Sequence, residues 1–232
     1  MPLDRIVIHP AVSALRSDFA VLAIAATGLI NGPSDAASRG WLRAAEAAAR
    51  RHAPAAPLDP HLVAWQEAYR AFGAKPQRTC SSGEALWRRA VSDQGLPEIN
   101  RLVDAYNAVS VEHCLPVGGE DLAHFVGPIR LIRATGTERF ETTKSGEAVV
   151  EAPAEGEVAW ADDLGVTCRR WNWRQGTRTR LTEATTDALF LLERLEPMSL
   201  DALHAAGDAL IAHLRTSGTA LSIATRRFGP TA

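Results

Sequence analysis

Four segments of this 232-residue chain carry polar side chains in patterns that packing alone does not call for. The densest runs from Cys168 to Arg180, with five arginines, Trp171 and Trp173, and no acid. Arginine interleaved with aromatics suits an RNA strand, because the guanidinium meets phosphate and the ring offers a flat face to an unstacked base. Read as a strand, Arg170, Asn172 and Arg174 share one face and the two tryptophans the other. A solvated strand over core tryptophans is the plainer alternative. The arginine density favours an anionic ligand.

A second segment, Pro97 to Ser110, spaces Asn100, Asp104 and Asn107 by four and three residues, with Ser110 extending the row. That spacing lines one helix face. Amides are mediocre helix formers, so the stripe points either to a lined pocket or to a buried hydrogen-bond network. In a third, Gly118-Gly119 follows that helix, and a glycine turn would expose N–H groups able to hold an oxyanion. The fourth contains Tyr69-Arg70, Phe72-Gly73, Lys75-Pro76, Arg78, Ser81-Ser82 and Arg88-Arg89, five cations against Glu84. Taken alone, it reads as a solvated face.

The elements that must position these residues follow from periodicity and punctuation. Ile6–Ile8 and Phe19–Ala26 read as strands. Ser34 or Asp35 caps a helix to Arg51, and the proline-rich 53–57 reads as a stiff connection within one domain. His61–Phe72 is a second helix stopped by Gly73, Ser81-x-x-Glu84 opens a third, and Glu98–Cys114 is a fourth. Segments 129–134, 148–151, 157–160, 166–173 and 188–195 read as strands, and a last helix begins near Ser199. Helices first, strands later and a closing helix indicate an α+β fold in one domain, 1–232.

Composition narrows the function. With 25 Lys plus Arg against 27 Asp plus Glu, the chain is not a basic nucleic-acid coat. Lysine occurs only at 75 and 144, so nearly every cation is arginine. The cations gather at 70–89 and 169–180, which favours docking one end of an RNA. The apolar run Phe19–Ile30 is about 12 residues, short of the roughly 20 that span a bilayer. No secretory signal pattern opens the chain, so a cytoplasmic protein away from membranes is expected. Cys80, Cys114 and Cys168 have neither disulfide nor zinc spacing, and the seven histidines are scattered. No metal and no cofactor are expected.

Taken in order, these blocks, with Leu96-Pro97, Ile99-Asn100, Leu102-Val103-Asp104, Asn107, Leu115-Pro116-Val117-Gly118-Gly119, Asp121 and Arg170-Trp171-Asn172-Trp173-Arg174-Gln175, carry a family resemblance. Over about residues 60–195 the chain resembles the standalone B3/B4-domain proteins, relatives of the editing domain in the phenylalanyl-tRNA synthetase β subunit. The resemblance implies a mixed or antiparallel β-sandwich-like core with helices packed around it. It also implies hydrolysis, in trans, of a mischarged aminoacyl-tRNA, with canavanine on arginine tRNA among the candidates. The synthetase domain, which removes tyrosine, has small glycine-rich residues where this chain has Arg170–Gln175, so a pocket of different shape and polarity is expected.

An aminoacyl ester is already activated, so hydrolysis asks for a placed water and oxyanion donors more than for a strong nucleophile. On this reading Asn107, Ser110, Asn172 and Gln175 place the water or the α-amino group, and the Gly118 and Gly119 N–H groups face the oxyanion. Asp104, Asp121, Arg133, Glu138, Arg170 and Arg174 bind substrate, with Asp121 or Glu138 meeting an ammonium or guanidinium. Lys75, Arg78, Arg88, Arg89, Arg178 and Arg180 contact RNA. A hydroxyl of the terminal ribose is available to assist, so no protein base is required. Two rivals remain: a serine or Cys/His hydrolase, for which there is no G-x-S-x-G elbow, and a non-catalytic RNA-binding module. These motifs specify no oligomeric state.

Overall fold

The computed structural model describes residues 2–52, 58–218 and 220–230, so the proline-rich connection 53–57 lies outside the described residues. In chain order the elements are β1 (Ile6–Ile8), α1 (Pro10–Leu15), β2 (Ala20–Thr27), α2 (Ala36–His52), α3 (Pro60–Ala71), α4 (Ser82–Val91) and α5 (Arg101–Glu112). Then come β3 (Val117–Asp121), β4 (Ile129–Arg133), β5 (Phe140–Lys144), β6 (Glu147–Glu151), β7 (Val158–Ala161), β8 (Val166–Arg169), β9 (Arg174–Gln175) and β10 (Asp187–Arg194). The chain closes on α6 (Leu200–Leu214) and β11 (Ser222–Phe228).

Helix starts obey their caps. Asp35 and Ser38 exchange backbone-to-side-chain bonds at α2, and Ser81 Oγ accepts from the Glu84 N–H at α4. Asn100 accepts from the Val103 N–H, which makes it the cap of α5 and starts that helix at Arg101 rather than Glu98. Several elements differ from the sequence reading. Pro10 at the first position, capped by His9, opens α1 instead of only ending a strand. Gly118-Gly119 lies inside strand β3 rather than in a turn, and β5 and β11 are additional strands.

Two sheets face one another. One is mixed, in the order β1-β4-β7-β8-β5-β6 with β9 on β8; β1–β4 and β5–β8 are parallel. The other is antiparallel, β11-β2-β10-β3. Between them Val21, Ala23, Leu189 and Leu191 pack against Leu131, Val158, Trp160 and Trp171. The opposite face of the antiparallel sheet carries Leu22, Ile24, Phe190 and Leu192 against α5 and α6. There Gly207 allows close packing, since a Cβ would sit 2.4 Å from Leu22 Cδ2 and displace that side chain. The α+β, sandwich-like architecture with surrounding helices is the one expected. Among the described residues no helix is long and apolar enough to cross a membrane.

Candidate active site

At the β3 edge the sheets part, leaving a cavity of about 290 Å³. One wall is Gly118 and Glu120 of β3 with Leu191 and Glu193 of β10. Opposite stand Trp160 of β7, Cys168 of β8 and the following residues Trp171, Asn172, Trp173 and Gln175. Asn107 and Tyr106 of α5 and Ser82 and Leu86 of α4 complete it. Four residues singled out from sequence therefore meet here: Asn107, Gly118, Asn172 and Gln175.

The segment 170–173 is not strand. Strand β8 ends at Arg169, and Arg170 and Trp171 take φ of 47° and 66°, a left-handed pair that costs non-glycine residues about 1–2 kcal/mol each. So the expected alternation of Arg170, Asn172 and Arg174 on one face does not occur. The reversal is held by backbone bonds, Trp171 N–H to Val158 O at 2.6 Å and Trp173 N–H to Arg169 O at 3.1 Å. It is also held by burial of the Trp171 ring among Phe19, Trp65 and Phe72. It turns the Asn172 amide inward, where Tyr69 Oη donates to Asn172 Oδ1 at 2.9 Å and Asn172 Nδ2 donates to Glu193 Oε2 at 2.7 Å.

Two carboxylates dominate the site, and neither stood out in the sequence. Glu193, 2% exposed, accepts from Trp160 Nε1 at 2.7 Å as well as from Asn172. Glu120, 3% exposed, accepts from Thr179 Oγ1 at 2.5 Å and Thr167 Oγ1 at 3.2 Å. Neither is ion-paired among the described residues. Burial pushes Glu193 up to about 8, against the pull of its two donors, and Glu120 adds to the rise. Burial likewise lifts Glu120 to about 7, with the two threonines pulling the other way. A carboxyl poised near neutrality is fit for proton transfer, and an uncompensated buried pair is fit to receive a cation.

The other residues of the polar stripe are engaged elsewhere. Asp104 accepts from the Ile99 N–H and from Ser38 Oγ, and Ser110 Oγ donates to Leu115 O. Asn107, 5% exposed, has no side-chain partner among the described residues, which leaves its amide to the cavity. Glu193 N–H bonds to Pro116 O, and Leu191 stands opposite Gly118. Antiparallel alternation then puts the Gly118 N–H in the ladder, so it does not serve an oxyanion. Gly119 faces Tyr106, and its carbonyl accepts from Gln175 Nε2 at 2.7 Å.

Of the remaining residues, Asp121 caps the turn at Ala123 and accepts from Thr185, Arg133 donates to Gly156 O, and Glu138 binds Thr135 and Gly136 in its own loop. These three do not line the cavity. Arg174 donates to Thr143 O, and Arg170 lies over the Trp173 ring at 4.4 Å. Arg88 pairs with Glu84, Arg89 holds Gly95 O, and Arg178 grips Asp162. Arg180 is exposed, and Lys75 and Arg78 share a neighbouring cleft.

The family model described as the B3/4 domain matches residues 64–206. No protein with a curated description matches the chain. Among solved structures, it is similar to the crystal structure of an N-terminal fragment of the phenylalanyl-tRNA synthetase β-subunit from Pyrococcus horikoshii. That similarity is 13% identity with a TM-score of 0.46 over 94% of this chain and 49% of that one, so the chain spans about half its length. With the family model covering more than half of the sequence, the chain belongs to the B3/4 domain family.

Proposed function

We propose that the cavity hydrolyses the ester of a mischarged aminoacyl-tRNA, and that residues 1–232 act in trans as one cytoplasmic domain. Membership of the B3/4 family supports a tRNA-related role. The observation that carries the enzymatic reading is the cavity itself, which the unpartnered Asn107 amide lines together with Glu193, Glu120 and three tryptophans. Asn107 is placed to hold the water or the developing oxyanion. In its ionised form Glu193, poised near neutrality, can take a proton from that water, with Asn172 fixing its orientation.

The finer reading concerns the amino acid. Two buried carboxylates without a cation favour a positively charged side chain, since the ion pair offsets the cost of burying each charge. A guanidinium such as that of canavanine, esterified to arginine tRNA, fits this better than tyrosine does.

A deacylation assay over a panel of mischarged tRNAs tests both levels. Cleavage of at least one ester is expected, fastest where the side chain is cationic. Binding without cleavage on every substrate would leave an RNA-binding module and end the enzyme reading. Cleavage confined to neutral side chains would remove the guanidinium preference alone.

A further inference from the structure

A second concavity, about 240 Å³, opens beside the active-site cavity and is lined among others by Lys75, Arg78, Glu157 and Arg170. Lys75 and Arg78 sit in the turn after α3, where the N–H groups of Arg78 and Thr79 both bond to Lys75 O. Both side chains are exposed, and neither forms an ion pair among the described residues. The one carboxylate lining the cleft, Glu157, is gripped through both oxygens by Arg169 at 2.9 Å. The cleft therefore presents cationic heads whose charge the protein leaves unmatched.

Arg170 connects the two concavities. Its guanidinium lies 3.8 Å from Glu157 and stacks 4.4 Å from the centre of the Trp173 ring. Trp173 lines the active-site cavity and Arg170 lines the cleft, so one Arg–Trp stack separates them. In an aminoacyl-RNA the ester and the nearest phosphodiester are on opposite sides of a single ribose. Two sites divided by one stacked pair match that geometry, whereas an acidic peptide has no reason to have its charge beside an ester pocket.

We propose that this cleft seats a backbone phosphate of the RNA strand whose ester enters the cavity. Lys75 and Arg78 contact the phosphate, and Arg170, flattened on Trp173, borders both sites. This rests on the deacylase reading and adds where the RNA backbone enters.

The test is anisotropy of a labelled single-stranded RNA ending in CCA, titrated from about 50 to 200 mM salt with wild type and with Lys75→Ala/Arg78→Ala. Loss of this one phosphate contact should weaken binding and flatten log K against log salt by about 0.7, the slope per neutralised phosphate of a single strand. The exposed Lys144→Ala should bind as wild type does, and hydrolysis of an RNA-free aminoacyl ester should be unchanged in the double variant. An unaltered salt slope, or dependence on Lys75 and Arg78 for a polyglutamate peptide but not for RNA, overturns the proposal. RNA binding with the expected slope but no ester cleavage on any substrate retains the cleft and overturns only the deacylase reading.

Discussion

Asn172 Nδ2 lies 2.7 Å from Glu193 Oε2, and this bond joins the turn after β8 in one sheet to β10 in the other. Asn172 also accepts from Tyr69 of α3, so one amide ties three elements together at the cavity.

That double role separates two substitutions that look alike in sequence. Asn172→Ala strands both the Glu193 carboxylate and the Tyr69 hydroxyl, at about 1–3 kcal/mol, and should lower Tm by several degrees along with activity. Asn107→Ala breaks no protein hydrogen bond. It should leave Tm unchanged while slowing deacylation by about 10²-fold, the scale of losing one oxyanion donor. Calorimetry beside single-turnover deacylation distinguishes them; a Tm drop in Asn107→Ala would make that residue structural.

The buried carboxylates make stability fall with alkali. Glu193 and Glu120 are raised from 4.5 to about 8 and about 7, so the folded state holds protons that the unfolded state has released. Their contribution is complete below about pH 4.5 and is lost as pH rises through 7 and 8. Tm should therefore decline between pH 5 and 9, and more shallowly in Glu193→Gln. Equal slopes in the two proteins would contradict the buried, protonated state of Glu193.

His61 opposes this on the acid side. Its Nε2 accepts from Trp65 Nε1 and the Leu195 N–H, and burial holds its pKa below 6.5. The neutral ring is favoured in the fold, so its contribution is present above pH 6.5 and is lost as pH falls below it. His61→Leu should be less stable at neutral pH yet lose less Tm between pH 6.5 and 5 than wild type does, as measured by thermal melts across that range.

Gly118 and Gly119 are adjacent but face opposite sides of β3. A Cβ on Gly118 meets nothing within 4 Å, so Gly118→Val should project into the cavity and block substrate with Tm kept. A Cβ on Gly119 would stand 2.8 Å from Tyr106 Cε1 and 2.9 Å from Leu181 Cδ1. Gly119→Ala should therefore destabilise by about 1–3 kcal/mol through overpacking. Paired melts and deacylation rates check the contrast, and similar behaviour of the two variants would refute it.

Much of the fold is legible in the chain itself. Caps at Ser81 and Ser199, and apolar spacing along α3, α5 and α6, announce those helices through contacts between near neighbours. Asn107, Asn172 and Gln175 are also visible as polar residues out of place. The Arg170–Trp173 reversal was not, because strand-like composition is overridden by burial of Trp171 and by bonds to β7.

What sequence alone determined is thus the class of fold, the helices other than α1 and the polar segments that border the cavity. Tertiary structure decided which of those polar groups remain unpartnered, and it supplied the carboxylates. Glu193 reads in sequence as one charge within the apolar strand Ala188–Leu195, and its parity with Leu189 and Leu191 was the available signal. Whether such a glutamate faces water or the interior depends on donors brought from Trp160 and Asn172, and only folding places them within 2.7 Å. A buried charge is set by its partners, and these come from distant parts of the chain.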